Sequence, residues 1–120
     1  LILSFSGCQW CMDLVFANLM GNAVKYSAGD PRVEVSAGID GGHVVATVRD
    51  YGCGIPAAEL PHVFDRFFRG SNTAGVAGTG IGLHTVKQIV ELHGGRVTVA
   101  SAAGAGATFR VILPSLGEET

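Results

Sequence analysis

The chain of 120 residues carries eight Lys and Arg against ten Asp and Glu, a formal net charge of −2, with 48% apolar and 15% charged residues. That length suits one domain able to bury a core without staples, and the charge supplies no basic field for nucleic acid. No apolar run approaches the ~20 residues that span a bilayer.

Residues 1–5 read as a short strand, closed by Ser6-Gly7, and lack the basic start and length of a signal peptide. Cys8-Gln9-Trp10-Cys11 has the spacing of a redox pair or of half a metal site. A metal needs a second pair or nearby histidines, and only the distant Cys53 remains. The pair is therefore expected to be small apolar residues at a helix start in a reducing cytosol. Residues 10–26 read as a helix on which Trp10, Leu14, Ala17, Met20 and Val24 share a stripe. It is apolar on nearly every side, which predicts a mostly buried helix, stopped by Ser27-Ala28-Gly29-Asp30-Pro31.

Residues 32–40 alternate, with Val33, Val35, Ala37 and Ile39 on one face and Arg32, Glu34, Ser36 and Gly38 on the other. Gly41-Gly42 predicts a tight hairpin turn, and residues 43–49 the return strand, with Val44, Ala46 and Val48 on one face. Residues 50–56 form a glycine-rich loop, 57–68 hold one or two short helical turns, and 69–77 are a small-residue polar stretch expected to be mobile. Residues 79–93 read as a helix stopped by Gly94-Gly95. Strands at 96–101 and 107–113 are joined by a second hairpin, and 114–120 read as a flexible tail. The order β-α-β-β-loop-α-β-β predicts a single α+β domain over residues 1–120. It should be a two-layer α/β sandwich, with a mixed, mainly antiparallel sheet and the helices on one face. It is not a doubly wound Rossmann fold, and no G-x-x-x-x-G-K-[ST] phosphate loop is present.

Four segments carry candidate chemistry. Gly78, Gly80 and Gly82 alternate just ahead of the second helix, where backbone N–H groups and the helix start favour an anion. Asn18, Asn22 and Lys25 stand at i, i+4 and i+7 on the first helix. Amide oxygens suit a hard cation such as magnesium, and a lysine one turn on suits phosphate. The alternative is that the two asparagines only hydrogen-bond the sheet, with Lys25 snorkelling outward. Asp50 ends an apolar strand, where a carboxylate is costly unless paired; it can accept from an exocyclic amine such as that of adenine, or simply cap a turn. Phe64-Asp65-Arg66-Phe67-Phe68-Arg69 joins three aromatics to two arginines. The aromatics can anchor a lid whose arginines reach phosphate, or form a core helix with a basic edge. His43, His62, His84 and His93 stand singly and read as structural or surface residues.

Taken together and in order, the segments resemble the ATP-binding catalytic domain of sensor histidine kinases. Residues 18–27 resemble that family's N box, 50–56 its first glycine box, 64–69 its F box and 78–83 its second glycine box, a likeness covering most of residues 13–113. The resemblance implies the Bergerat ATP-binding fold, shared with gyrase, heat-shock chaperone and mismatch-repair ATPases, and the cofactors ATP and Mg2+. It places magnesium on Asn22 assisted by Asn18, phosphate near Lys25, the nucleoside along Tyr26 and the adenine amine on Asp50, helped by Gly54. Gly78, Thr79, Gly80 and Gly82 would contact phosphates and hinge a lid over 69–77, and Gly52, Ile55, Phe64, Ile81 and Leu83 complete the nucleotide set. Asn22, Lys25 and Arg69 are the expected catalytic residues.

The hydrolysing relatives carry a glutamate four residues before the magnesium asparagine, where this chain has Asn18. An amide is no general base at neutral pH, so slow hydrolysis and transfer of the γ-phosphate to a histidine supplied from elsewhere are expected. None of the four histidines has the H-E-[LF]-[RK]-[TS]-P-type context of the family's acceptor. The expected partner is thus a histidine-containing dimerisation domain of the same kinase, and indirectly a response regulator, with no nucleic acid and no direct membrane contact. The chain is expected to be an N-terminally truncated piece of a cytoplasmic catalytic domain, its parent open to anchoring in the inner membrane, and inactive in autophosphorylation by itself. A nucleotide-binding scaffold without transfer and a related ATPase are the competing readings.

Overall fold

Gly41 and Gly42 take φ values of 56° and 81°, left-handed values that glycine adopts without penalty and that match the twist of a two-residue hairpin. They join strand β1 (Val33–Asp40) to β2 (His43–Asp50) in antiparallel register, Val33 opposite Asp50 and Asp40 opposite His43. Helix α1 (Gln9–Lys25) precedes this hairpin. After it come a 3-10 helix (Ala57–His62), helix α2 (Gly82–Leu92) and strands β3 (Arg96–Ser101) and β4 (Ala107–Pro114). The computed structural model describes residues 9–25, 32–66, 82–101 and 104–114. The strand predicted at 1–5, the stretch at 69–77 and most of the expected tail lie outside the described residues.

The sheet runs β1-β2-β4-β3, every described pair antiparallel, and both helices pack on one face. This is the two-layer α/β sandwich that the element order predicts. Alternation on β2 and β4 sends Val44, Val48, Phe109, Val111 and Leu113 under the helices. Val86 and Val90 of α2 and Val15 and Leu19 of α1 complete the interior with almost no exposed surface.

Helix α2 ends in a Schellman motif. The N–H of Gly94, at φ 77°, donates to Glu91 O, and that of Gly95 to Val90 O, each at 3.0 Å. A Cβ on Gly95 would lie 2.3 Å from Ile112 O, so only glycine lets the helix end sit this close to β4.

Two expectations about α1 are corrected. The helix is not mostly buried, and the stripe led by Trp10 is not the one that packs. Met12, Val15, Leu19 and Ala23 face the sheet, while Trp10 is 72% exposed and Ala17, Met20 and Val24 also face outward. A helix with apolar residues on two sides meets only one sheet, and sequence periodicity does not say which side it turns inward. Cys11, moreover, is disulfide-bonded rather than a free thiol. Cys53 is free.

Candidate functional site

Asp50 occupies the last position of β2, opposite Val33 on β1 and Ala107 on β4, and its place in the alternation turns it to the helix side. It is 7% exposed, the one buried charged residue among those described. The backbone N–H of Gly52 donates to Oδ1 at 2.9 Å. The other oxygen, Oδ2, has no hydrogen-bond partner among the described residues. A buried carboxylate is tolerated when its oxygens are satisfied; here one is held from behind and one remains available as an acceptor.

The loop after Asp50 is fixed from a distant part of the chain. Ile55 N–H donates to Ser101 Oγ at 2.8 Å, and Ser101 Oγ in turn donates to Gly106 O. Gly104 N–H donates to Cys53 O at 2.7 Å. Gly54, at φ 70°, makes the turn that this path requires. Gly106, at φ 75°, lies so close that a Cβ there would come within 2.2 Å of Asp50 O. The β3–β4 hairpin thus sets the position of the Asp50 backbone. Sequence reasoning missed Ser101 and Gly106, because neither lies near the loop in sequence and a Ser or Gly at a hairpin has ordinary explanations.

On α1, Asn18 and Asn22 are both half-buried, one turn apart. Asn18 Nδ2 donates to Leu14 O at 2.9 Å, which directs Oδ1 away from its own helix. That oxygen faces the start of α2: a Cβ on Gly82 would lie 2.8 Å from it. Gly82 is therefore where the second glycine segment closes on the asparagine helix. Asn22 makes no side-chain hydrogen bond among the described residues. The chain passes from Lys25 to Val33, the β1 partner of Asp50, within eight residues.

Phe64 packs its ring edge-on against Phe109, centroids 6.1 Å apart at 84°, and His84 Nδ1 lies 3.1 Å from Phe64 O. Phe64, Ile55 and Leu83, expected beside a nucleotide, also pack against the core. The Lys25 side chain, Tyr26, Arg69, Gly78, Thr79, Gly80 and Ile81 lie outside the described residues. No group of three or more His, Cys, Asp or Glu gathers among the described residues. The described candidates offer one carboxylate acceptor at the start of a held loop and neutral amide groups on α1.

A sandwich of this topology, with both helices on one face of an antiparallel sheet, defines a class. The chain belongs to the family of histidine kinase-, DNA gyrase B- and HSP90-like ATPases, whose sequence model matches residues 11–117. Its relatives are sensor histidine kinases. It is 38% identical over 102 residues to the sensor protein KdpD of Escherichia coli, covering 85% of this chain and 11% of KdpD. It is 40% identical over 104 residues to the histidine-protein kinase AfsQ2 of Streptomyces coelicolor, covering 86% of this chain and 19% of AfsQ2. Among solved structures, the mycobacterial sensor histidine kinase MprB superposes with a TM-score of 0.84 at 36% identity, over 92% of this chain and 76% of that one. Full-length ShkA in complex with AMPPNP superposes with a TM-score of 0.75 at 31% identity, over 88% of this chain and 21% of that one. The chain thus spans under a fifth of the length of these two curated relatives. No described helix is long and apolar enough to cross a membrane.

Proposed function

We propose that this domain binds Mg-ATP and presents the γ-phosphate to a histidine on a separate dimerisation domain of a sensor kinase. The observation that carries the reading is the divided carboxylate of Asp50, with Oδ1 committed to Gly52 N–H and Oδ2 uncommitted and reachable on an otherwise buried residue. An exocyclic amine such as that of adenine donates a hydrogen bond and would satisfy Oδ2. The structural neighbour ShkA was solved in complex with AMPPNP, which supports a nucleotide as the ligand.

The uncommitted amide of Asn22, with Asn18 beside it, fits magnesium, a cation that takes oxygen donors and shares its sphere with phosphates and water. When bound, magnesium neutralises phosphate charge as transfer proceeds. Asn18 cannot take a proton from water at neutral pH, and its Nδ2 is already engaged with Leu14 O. Hydrolysis is therefore slow, and the nucleotide waits for a better-placed nucleophile. Lys25 and Arg69 supply positive charge to the phosphates, Tyr26 lies along the nucleoside, and Gly78, Thr79 and Gly80 contact phosphates through their backbone. The function of this module is positioning: it holds donor and counter-charge while the acceptor arrives from another domain.

The test is titration with a fluorescent ATP analogue, since Trp10 lies at the opposite end of α1 from Asn22. In Asp50→Asn the new amide still accepts from Gly52 N–H but turns a donor toward the adenine amine. Affinity should fall about tenfold or more, as for a lost charged hydrogen bond, with the unfolding midpoint little changed. Unchanged affinity would remove the pocket assignment. Phosphohistidine on an added cognate dimerisation domain should require the nucleotide and be lost in Asn22→Asp.

A further inference from the structure

The face of the sheet away from the helices carries a row of arginines that belongs to no part of the nucleotide site. In the observed register, Arg49 on β2 stands opposite Thr108 on β4, Arg110 follows two residues along β4, and Arg96 on β3 stands opposite Ile112, two residues further. Arg32, just before β1, extends the same diagonal at the other edge, one residue ahead of the Val33–Asp50 pair. One arginine per strand, each a strand over and two residues along from the last, makes a step of about 8 Å and a row of about 25 Å. All four are exposed. They are half of the eight Lys and Arg in an otherwise acidic chain.

Three observations bear on what covers this row. None of the four arginines has an ion-pair partner among the described residues, although Glu34 stands directly opposite Arg49. The guanidinium carbons of Arg32 and Arg49 each lie 4.7 Å from the centroid of the Tyr51 ring, which holds that end of the row in place. At the other end, Arg96 and Arg110 border an open concavity of about 900 Å³ floored by Val45, Thr47 and Ile112.

We infer that this face docks an acidic segment of a partner protein, laid along the diagonal with carboxylates meeting Arg49, Arg110 and Arg96. A step of about 8 Å is near the spacing of alternate side chains in an extended chain, and the arginine fork suits carboxylates in pairs. A membrane surface fits less well, because the face is concave. Single-stranded nucleic acid would need an aromatic ring for its bases, and Tyr51, the aromatic at this row, is covered by two guanidinium groups.

The test is fluorescence anisotropy with a short labelled peptide alternating Glu and Thr. The unsubstituted chain should bind it in a salt-sensitive way. Arg96→Gln/Arg110→Gln should weaken binding about tenfold, while Lys87→Gln, on α2 across the sandwich, should not. Thr98→Glu, which sets a carboxylate opposite Arg110, should weaken binding too and serves if the double variant fails to fold. ATP-analogue affinity should be unchanged throughout. No peptide binding, equal binding by the arginine variants, or tighter binding of single-stranded DNA or of phosphatidylserine vesicles would overturn the inference.

Discussion

On β2 and β4, alternate residues face opposite ways. Val44, Val48, Asp50, Phe109 and Val111 lie under the helices, whereas Thr47, Arg49, Thr108 and Arg110 meet solvent. The backbone ladder is common to both sets. The helix side combines the interior with a single buried carboxylate, so stability and ligand binding are coupled there. The open side holds charge without burial, so side chains can change with little effect on folding. The comparison teaches that one ladder can carry a tightly constrained site and a freely substitutable surface, separated by the thickness of a peptide plane.

Substitutions can break or sharpen that contrast. The largest effect is expected from Leu19→Ala. Leu19 is 1% exposed on the helix side, and the cavity should cost about 2–5 kcal/mol in denaturant unfolding. Next is Gly106→Ala, which requires a left-handed backbone and a Cβ within 2.2 Å of Asp50 O. It should cost about 2 kcal/mol or more and lower nucleotide affinity by displacing Asp50. Ser101→Ala leaves Ile55 N–H and Gly106 O without their shared hydroxyl. A loss of about 1–2 kcal/mol is expected, with faster amide exchange at Ile55 as the local readout. The smallest effect is expected from Arg110→Gln on the open face, within about 0.5 kcal/mol of the unsubstituted chain. If Arg110→Gln destabilised the chain as much as Ser101→Ala, the division between the two faces would fail.

Much of the architecture was legible because its signals are local. Alternation over residues 33–40 and 43–50, two adjacent glycines between them and two more after α2 placed the hairpin and the helix end almost to the residue. Asp50 was legible because a carboxylate closing an apolar strand is out of place chemically. The orientation of α1 was not, since Trp10, Met20 and Val24 make as good an apolar stripe as Met12, Leu19 and Ala23 until the sheet is in view. Ser101 and the arginine row needed register, which depends on residues distant in sequence. The bonded state of Cys11 needed coordinates as well.

The end of α2 has a mechanical consequence. Gly94 and Gly95 close its C-terminus with two hydrogen bonds back into its own last turn, and Gly95 lies against β4 in a contact that admits no Cβ. The helix therefore behaves as a lever with its fulcrum at Gly95. Its eleven residues make an arm of about 16 Å, so a tilt of about 5° moves Gly82 by about 1.4 Å. A small rotation applied anywhere along α2 would thus be delivered, enlarged, to the residue that abuts the asparagine helix.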